Sequence, residues 1–294
     1  MSKYILLLLI SFIWGSQFFF VALVTHDVGA VTLSLLKAII GAICLSFISL
    51  FLTREKNSTD FKLYVGIAFF EVVLPFILIA QGQKYVSSSI ASMLIATVPI
   101  ITLILFVIFF KKKVSQFQFF SIFFGFLGMV ILSWPTQATS GSGTVFGYVL
   151  LLLAAISFAM SLILMEKLDG GSPVIHMRNV LWIASIILLP LGFIFERPLH
   201  LDIDGLQIAS IVILGIFHAG IVYMLYNLLI KKEGALFASF SNYMVPVVGV
   251  LLGYFILNES LVLQHIIGIF IIFCALLLSN KQAFKSDKAR GKKS

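Results

Sequence analysis

The chain has 294 residues, 61% of them hydrophobic and 11% charged, with a mean hydropathy of +1.13. Soluble domains carry about 45–50% apolar and about 25% charged residues, so lipid must be the solvent for much of this chain, and spans of about 20 residues leave no room for a soluble catalytic or ATP-hydrolysing domain. The net charge of +8, from 20 Lys plus Arg against 12 Asp plus Glu, is spread over loops and a tail instead of forming one basic face, which argues against a nucleic-acid partner.

Apolar runs broken by polar clusters predict ten helices, over about 4–24, 30–52, 62–82, 86–110, 114–133, 145–166, 174–195, 205–229, 235–257 and 261–279. The first is too long for a signal peptide and has no small-x-small cleavage site. Alternation at the strand period, which an outer-membrane barrel needs, is missing. Cys44 and Cys274 fall inside apolar runs and read as small buried hydrophobes, with no disulfide.

Loop charges orient the chain. Lys3, Arg54, Lys56, Lys62, Lys111, Lys112, Lys113, Lys167, Arg178, Lys231, Lys232 and the tail cations from Lys281 to Lys293 all fall on one side. Only Lys84 and Arg197 fall on the other, and Lys37 lies within a span. This asymmetry places both termini in the cytoplasm.

The chain also repeats itself. A shift of 147 residues lays Ala91-Ser92 on Ala238-Ser239, Val98-Pro99 on Val245-Pro246, Phe70 on Phe217 and Lys84 on Lys231. A shift of 144 lays Tyr4 and Leu6 to Leu9 on Tyr148 and Leu150 to Leu153. Each copy holds five spans, and an odd number inverts the second copy in the bilayer. The expected fold is therefore all-α and integral to the membrane, with ten transmembrane helices as two inverted five-helix repeats. Its units are 1–138, 139–280 and a basic, disordered tail at 281–294. Inverted repeats enclose a midplane site in many secondary transporters.

Ionisable groups at membrane depth are expensive and so are candidates for function. Glu71 lies about 16 Å into its span at 1.5 Å per residue, and His218, which the 147-residue shift aligns with it, lies at a similar depth. The inverted arrangement predicts that the two share one cavity, where either could exchange a proton. The plainer alternatives are a Glu71–Lys37 pair and a His218 bond to a backbone carbonyl. Lys37, about 10 Å deep, either snorkels outward or presents a cation to the cavity.

Pro75, Pro99, Pro190 and Pro246 each remove a backbone donor inside a span, so those helices kink or open. Near them, Ser92, Ser239, Asn242 and Tyr243 are candidates to recognise amino, carboxyl or hydroxyl groups, or else pack helices closely. Trp14 beside Gly15, with Gln17 close by, reads as cavity wall or packing. Tyr223, Tyr226, Asn227 and Gln81 are weaker candidates, and His176 and His265 are expected merely to touch water. The P-loop, HExxH and GxSxG patterns do not occur, and the Ser140 to Gly143 run reads as a loop. No cofactor and no metal site are expected.

Trp14-Gly15 and the paired segments Ala91-Ser92 to Pro99 and Ala238-Ser239-Phe240-Ser241-Asn242-Tyr243-Met244-Val245-Pro246 resemble the EamA-type drug/metabolite transporter superfamily. So do Leu74-Pro75-Phe76 through Gln83-Lys84-Tyr85-Val86-Ser87-Ser88-Ser89, and Asn258-Glu259-Ser260-Leu261 with Gly268. The resemblance covers about residues 4–280. It departs from the family at Lys112, where a linking Glu is frequent, and at Lys37, where an Arg is common.

The resemblance implies a bacterial inner-membrane secondary transporter, an exporter of small metabolites such as amino acids or drugs. It would work by alternating access around a midplane cavity and be driven by protons or the substrate gradient. Helices one, three, four, eight and nine would line the cavity. The expected partners are a small-molecule substrate and the lipid bilayer, with the protein a monomer or homodimer and not an enzyme. The alternatives are a membrane-embedded enzyme acting on a lipid-like substrate and a non-transporting scaffold.

Overall fold

The computed structural model describes residues 2–52, 59–111, 114–133, 142–168, 171–196, 203–257 and 262–279. Leu-, Ile-, Phe- and Ala-rich segments without internal charge runs satisfy their backbone groups within themselves, as lipid requires, and every regular element among the described residues is helical. These elements are α1 (Lys3–Val24), α2 (Ala30–Ser49), α3 (Phe61–Gly82), α4 (Ser88–Ile108), α5 (Gln116–Leu132), α6 (Ser142–Met165), α7 (Pro173–Phe195), α8 (Gly205–Glu233), α9 (Ala235–Leu257) and α10 (Leu263–Ser279). Seven have the length and apolarity to cross a membrane. The shorter apolar stretches are α5, Ala235–Leu251 of α9, and α10. The 281–294 tail, the Asn258-Glu259-Ser260-Leu261 link, Lys112 and Ser140-Gly141 lie outside the described residues.

Three helices are interrupted. α3 carries a π turn over Ala68–Val73 and α8 another over Ile216–Ile221, while α4 breaks at Ala96 and Thr97, just ahead of Pro99. Pro246, by contrast, sits inside a continuous α9, and Pro190 inside α7.

Packing follows small residues, since lipid removes most of the hydrophobic drive between helices and leaves close contact as the main attraction. α5 packs along α10, α2 along α7, and α1 along α9, while α2 also crosses the π turn of α8. A Cβ on Gly41 would stand 3.0 Å from both the Gly215 carbonyl oxygen and the Gly220 amide nitrogen, so α2 reaches the α8 π turn only as glycine.

Gly268 is tighter still, because its Cβ would fall 2.7 Å from the Leu132 Cα and backbone nitrogen. Backbone cannot swing aside, so Gly268→Ala is expected to separate α5 from α10 and destabilise the protein by about 1–3 kcal/mol. Thermal unfolding of the purified protein in detergent measures it, and an unchanged midpoint would contradict the packing.

The helix ends borrow partners. The Glu196 carboxylate, at the end of α7, accepts the Val31 and Thr32 amides at 3.1 and 2.8 Å, capping α2 after Gly29. Glu166, after α6, accepts the Ala235 amide at 2.8 Å, capping α9 after Gly234, whose φ of 83° suits glycine. At the end of the bundle where α1 starts, Lys3 pairs with Glu233 at 2.9 Å. Large apolar side chains such as Phe12, Phe47, Phe119, Ile186 and Phe270 stay exposed on the outside, as a lipid-facing surface demands.

The structure departs from two of the expectations. His176 does not lie at a wet interface: it is fully buried, and its Nδ1 meets the Tyr64 hydroxyl at 2.7 Å. Its place three residues into α7 puts it beneath the start of α3. Cys274 is exposed on the outside of α10 and Cys44 is half-buried, so neither is a core hydrophobe.

Candidate functional site

Pro75 has no N–H, so the Glu71 carbonyl four residues earlier loses its helical donor. The π turn shifts the register, and the Leu74 amide bonds the Phe69 carbonyl instead. The carbonyls of Phe70 and Glu71 then find side chains from other helices. Ser157 of α6 donates to the Phe70 oxygen at 2.7 Å, and the Tyr223 hydroxyl of α8 donates to the Glu71 oxygen at 3.1 Å. π turns recur at functional sites because they redirect a side chain without ending the helix. Here the redirected residue is Glu71.

Glu71 is 1% exposed, and neither of its carboxyl oxygens makes a hydrogen bond. The Ser161 hydroxyl stands beside it, outside hydrogen-bond geometry. Tyr223→Phe would leave the Glu71 carbonyl orphaned as well, which is expected to cost about 1–3 kcal/mol. A detergent melt that does not move would show that another donor serves this carbonyl.

Glu71 of α3 lines a cavity together with Trp14, Gln17 and Phe18 of α1, Ile95 of α4, Phe158 of α6, Tyr226 of α8, and Asn242 and Val245 of α9. Its enclosed space is small in this state, about 10 Å³ or room for about one water, and the 360 Å³ free of protein atoms around it includes open solvent. Gly15 admits the wall: a Cβ on it would meet Val248 at 2.7 Å and the Val245 carbonyl at 3.2 Å, so α1 lies directly against α9. Trp14 is fixed by rings, 4.5 Å from Tyr226 and 5.9 Å from Tyr223 in edge contacts. Phe18 is held by its backbone. Its carbonyl accepts from Gln83 Nε2 and Ser88 Oγ, each at 3.0 Å, and so the polar α3–α4 turn is anchored to the cavity wall.

Behind Gln17 stands Lys37. Its Nζ donates to Gln17 Oε1 at 3.4 Å and lies 3.9 Å from the centre of the Phe76 ring, buried at 4% exposure. It therefore neither snorkels nor pairs with Glu71; among the described residues the two form no ion pair.

His218 does not line the cavity. Its Nδ1 meets the Ile213 carbonyl at 3.2 Å and its Nε2 meets Ser16 Oγ at 3.0 Å, with Phe20 at its edge. Ser16 also approaches the Ile13 carbonyl at 2.9 Å. The single hydroxyl proton serves either that carbonyl or a neutral Nε2, whereas a charged ring donates to Ser16 and keeps every bond. The arrangement can hold or release a proton with one hydroxyl rotation.

The other expected site residues divide. Asn242 lines the cavity, its Nδ2 donating to the Ser239 carbonyl at 3.2 Å. Ser92 and Ser239 spend their hydroxyls on the Ser89 and Leu236 carbonyls of their own helices, both at 2.8 Å. Tyr243 turns away and donates to the Ile122 carbonyl at 2.9 Å. Asn227 is fully buried with both amide atoms unbonded, and it is not part of the cavity wall. Ser16, Phe18, Phe76, Ile95, Ser157, Phe158 and Ser161 also belong to the site or its supports, although nothing polar or costly marks most of them in the sequence. Ser157 and Ser161, one turn apart on an apolar helix, were the available signal.

The EamA-like transporter family model matches residues 1–134 and 145–281. The chain belongs to the EamA-like transporter family. An uncharacterized transporter of Archaeoglobus fulgidus is 28% identical over 269 residues, covering 91% of this chain and 95% of that protein. The uncharacterized transporter YoaV of Bacillus subtilis is 23% identical, covering 92% and 94%. A solved crystal structure superposes with a TM-score of 0.77 at 14% identity, covering 96% of this chain and 99% of that one. That likeness is one of fold.

Proposed function

We propose that the protein is a secondary transporter that moves small metabolites such as amino acids or drugs out of the cell by alternating access. The observation that carries this reading is the cavity. Its wall comes from α1, α3 and α4 and from α6, α8 and α9, which are the same three helices of each half when the chain is divided into 1–138 and 139–280. A site built from matched helices of two halves is what a rocking mechanism needs, because the halves can exchange roles on either side of a bound solute.

Further support for ten spans in two inverted repeats comes from the π turns at Ala68–Val73 and Ile216–Ile221. They lie one residue off the 147-residue sequence shift. Each is crossed by its counterpart helix from the other half, α7 on the first and α2 on the second. The two matched family stretches fall on the same division. In this reading both termini are cytoplasmic, the membrane is the bacterial inner membrane, and Glu71, with His218 on Ser16, carries any proton coupling. One charge crossing 100 mV releases about 2.3 kcal/mol, enough for roughly a fifty-fold gradient.

The test is counterflow. Metabolites whose export falls when the gene is deleted are supplied to proteoliposomes of the purified protein. Exchange of unaltered solute is expected. A solute recovered chemically changed, or no exchange of any of them, would overturn the reading in favour of an enzyme or a scaffold.

A further inference from the structure

We propose that the cavity is an ammonium site, selective for small amines with an apolar or aromatic body and no carboxylate. The proposal rests on the transporter reading and narrows its substrate class.

Among the described residues the wall carries one acid and no base. Glu71 brings to it a carboxyl whose two buried oxygens accept no hydrogen bond, the Ser161 hydroxyl standing beside them. Asn242 gives its Nδ2 to the Ser239 carbonyl and lies against the Tyr226 hydroxyl, and its Oδ1, with two lone pairs, can still accept. An ammonium group brings three donors, which match these three acceptors in number. Around them the wall is aromatic, with Trp14, Phe18, Phe158 and Tyr226, and ring faces attract a desolvated cation. The nearby cation among the described residues, Lys37, is turned onto the Phe76 ring and Gln17 Oε1 behind the wall. A substrate carboxylate would therefore enter beside an uncompensated acid and meet no positive partner. Repulsion between like charges and the desolvation of both make that arrangement costly, whereas an amine supplies the missing counter-charge.

The test uses one carbon skeleton in several charge states. Phenethylamine, phenethyl alcohol, phenylalanine and phenylpropanoate are titrated into the full-length protein in detergent by calorimetry. The amine is expected to bind about tenfold or more tighter than the alcohol, the size of one charge-assisted bond with a cation–π contribution. Phenylalanine should fall below the amine, and phenylpropanoate should not bind.

Glu71→Gln is expected to erase the amine preference and Glu71→Asp to keep it. The wild-type panel decides the matter even if a variant fails to fold. Equal affinity for amine and alcohol, tighter binding of phenylalanine or phenylpropanoate, no binding of the amine, or an amine preference that survives Glu71→Gln would each overturn the proposal. The transporter reading is judged apart from it. Counterflow of other metabolites with no amine binding sinks the ammonium site alone, and amine binding without counterflow of any solute, the amine included, sinks transport alone.

Discussion

Glu71→Gln is expected to lower transport by about one to two orders of magnitude, as the loss of a charge-assisted interaction with a bound solute would. The same variant should melt at the wild-type temperature or above it. The reasoning runs from the carboxyl's surroundings. A buried charge that holds up a fold is paired, and removing one partner costs several kcal/mol because the other is left alone. Glu71 has no such partner: its side-chain oxygens are unbonded, and Lys37 is committed to Gln17 and Phe76.

The isosteric amide therefore breaks nothing in the resting protein and relieves the desolvation of an acid. What holds Glu71 in place is its backbone carbonyl, through Tyr223, and that bond survives the substitution. Initial rates of counterflow and a melting curve on one preparation separate the two effects. Lost transport accompanied by a lowered melting point would point to a structural acid and remove Glu71 from the mechanism.

The parts of this site that could be read from the sequence were the costly ones. An acid, a tryptophan and two amides at membrane depth stand out against Leu and Phe because lipid penalises them, and Glu71, Trp14, Gln17 and Asn242 all line the cavity. Hydroxyls did not stand out. A serine in an apolar helix can satisfy itself on its own backbone, as Ser92 and Ser239 do. Nothing in the sequence separates those from Ser16, which reaches across to another helix, and Ser157, which does the same, is marked only by Ser161 one turn on.

The repeat aligned Glu71 with His218 but could not fix where each side chain points. α3 opens at Pro75, which strips the Glu71 carbonyl of its donor. α8 has no proline there, and its π turn instead receives Gly41 from α2, leaving the imidazole bonded to its own helix at Ile213. Proline at 75 announced a freed carbonyl; which helix would supply the donor depends on tertiary packing that local sequence does not encode. His176 illustrates the same limit, since a histidine three residues from a helix start looks wet until a second helix covers it.

Trp14→Ala should carry the largest stability cost of any single change at the wall. Truncating a large buried aromatic costs about 3–5 kcal/mol in water-soluble cores. Here the lower end applies, because lipid solvates the unfolded side chain almost as well as the core does, and the transfer part of that cost largely disappears. The cavity part remains. Trp14 is 7% exposed and braces Tyr226 and Tyr223, the second of which holds the Glu71 carbonyl. Edge contacts of this kind add about 0.5–1.5 kcal/mol each beyond burial.

A loss of about 3 kcal/mol is therefore expected in detergent melts, with Trp14→Phe recovering most of it because a smaller ring still reaches Tyr226. Binding should track differently. Alanine removes a ring face from the cavity and phenylalanine keeps one, so solute affinity should fall steeply for the first and by only a few-fold for the second. If Trp14→Ala melted like the wild type, the cluster of rings would not be bracing the π turn, and the link between the aromatic wall and the orientation of Glu71 would have to be abandoned.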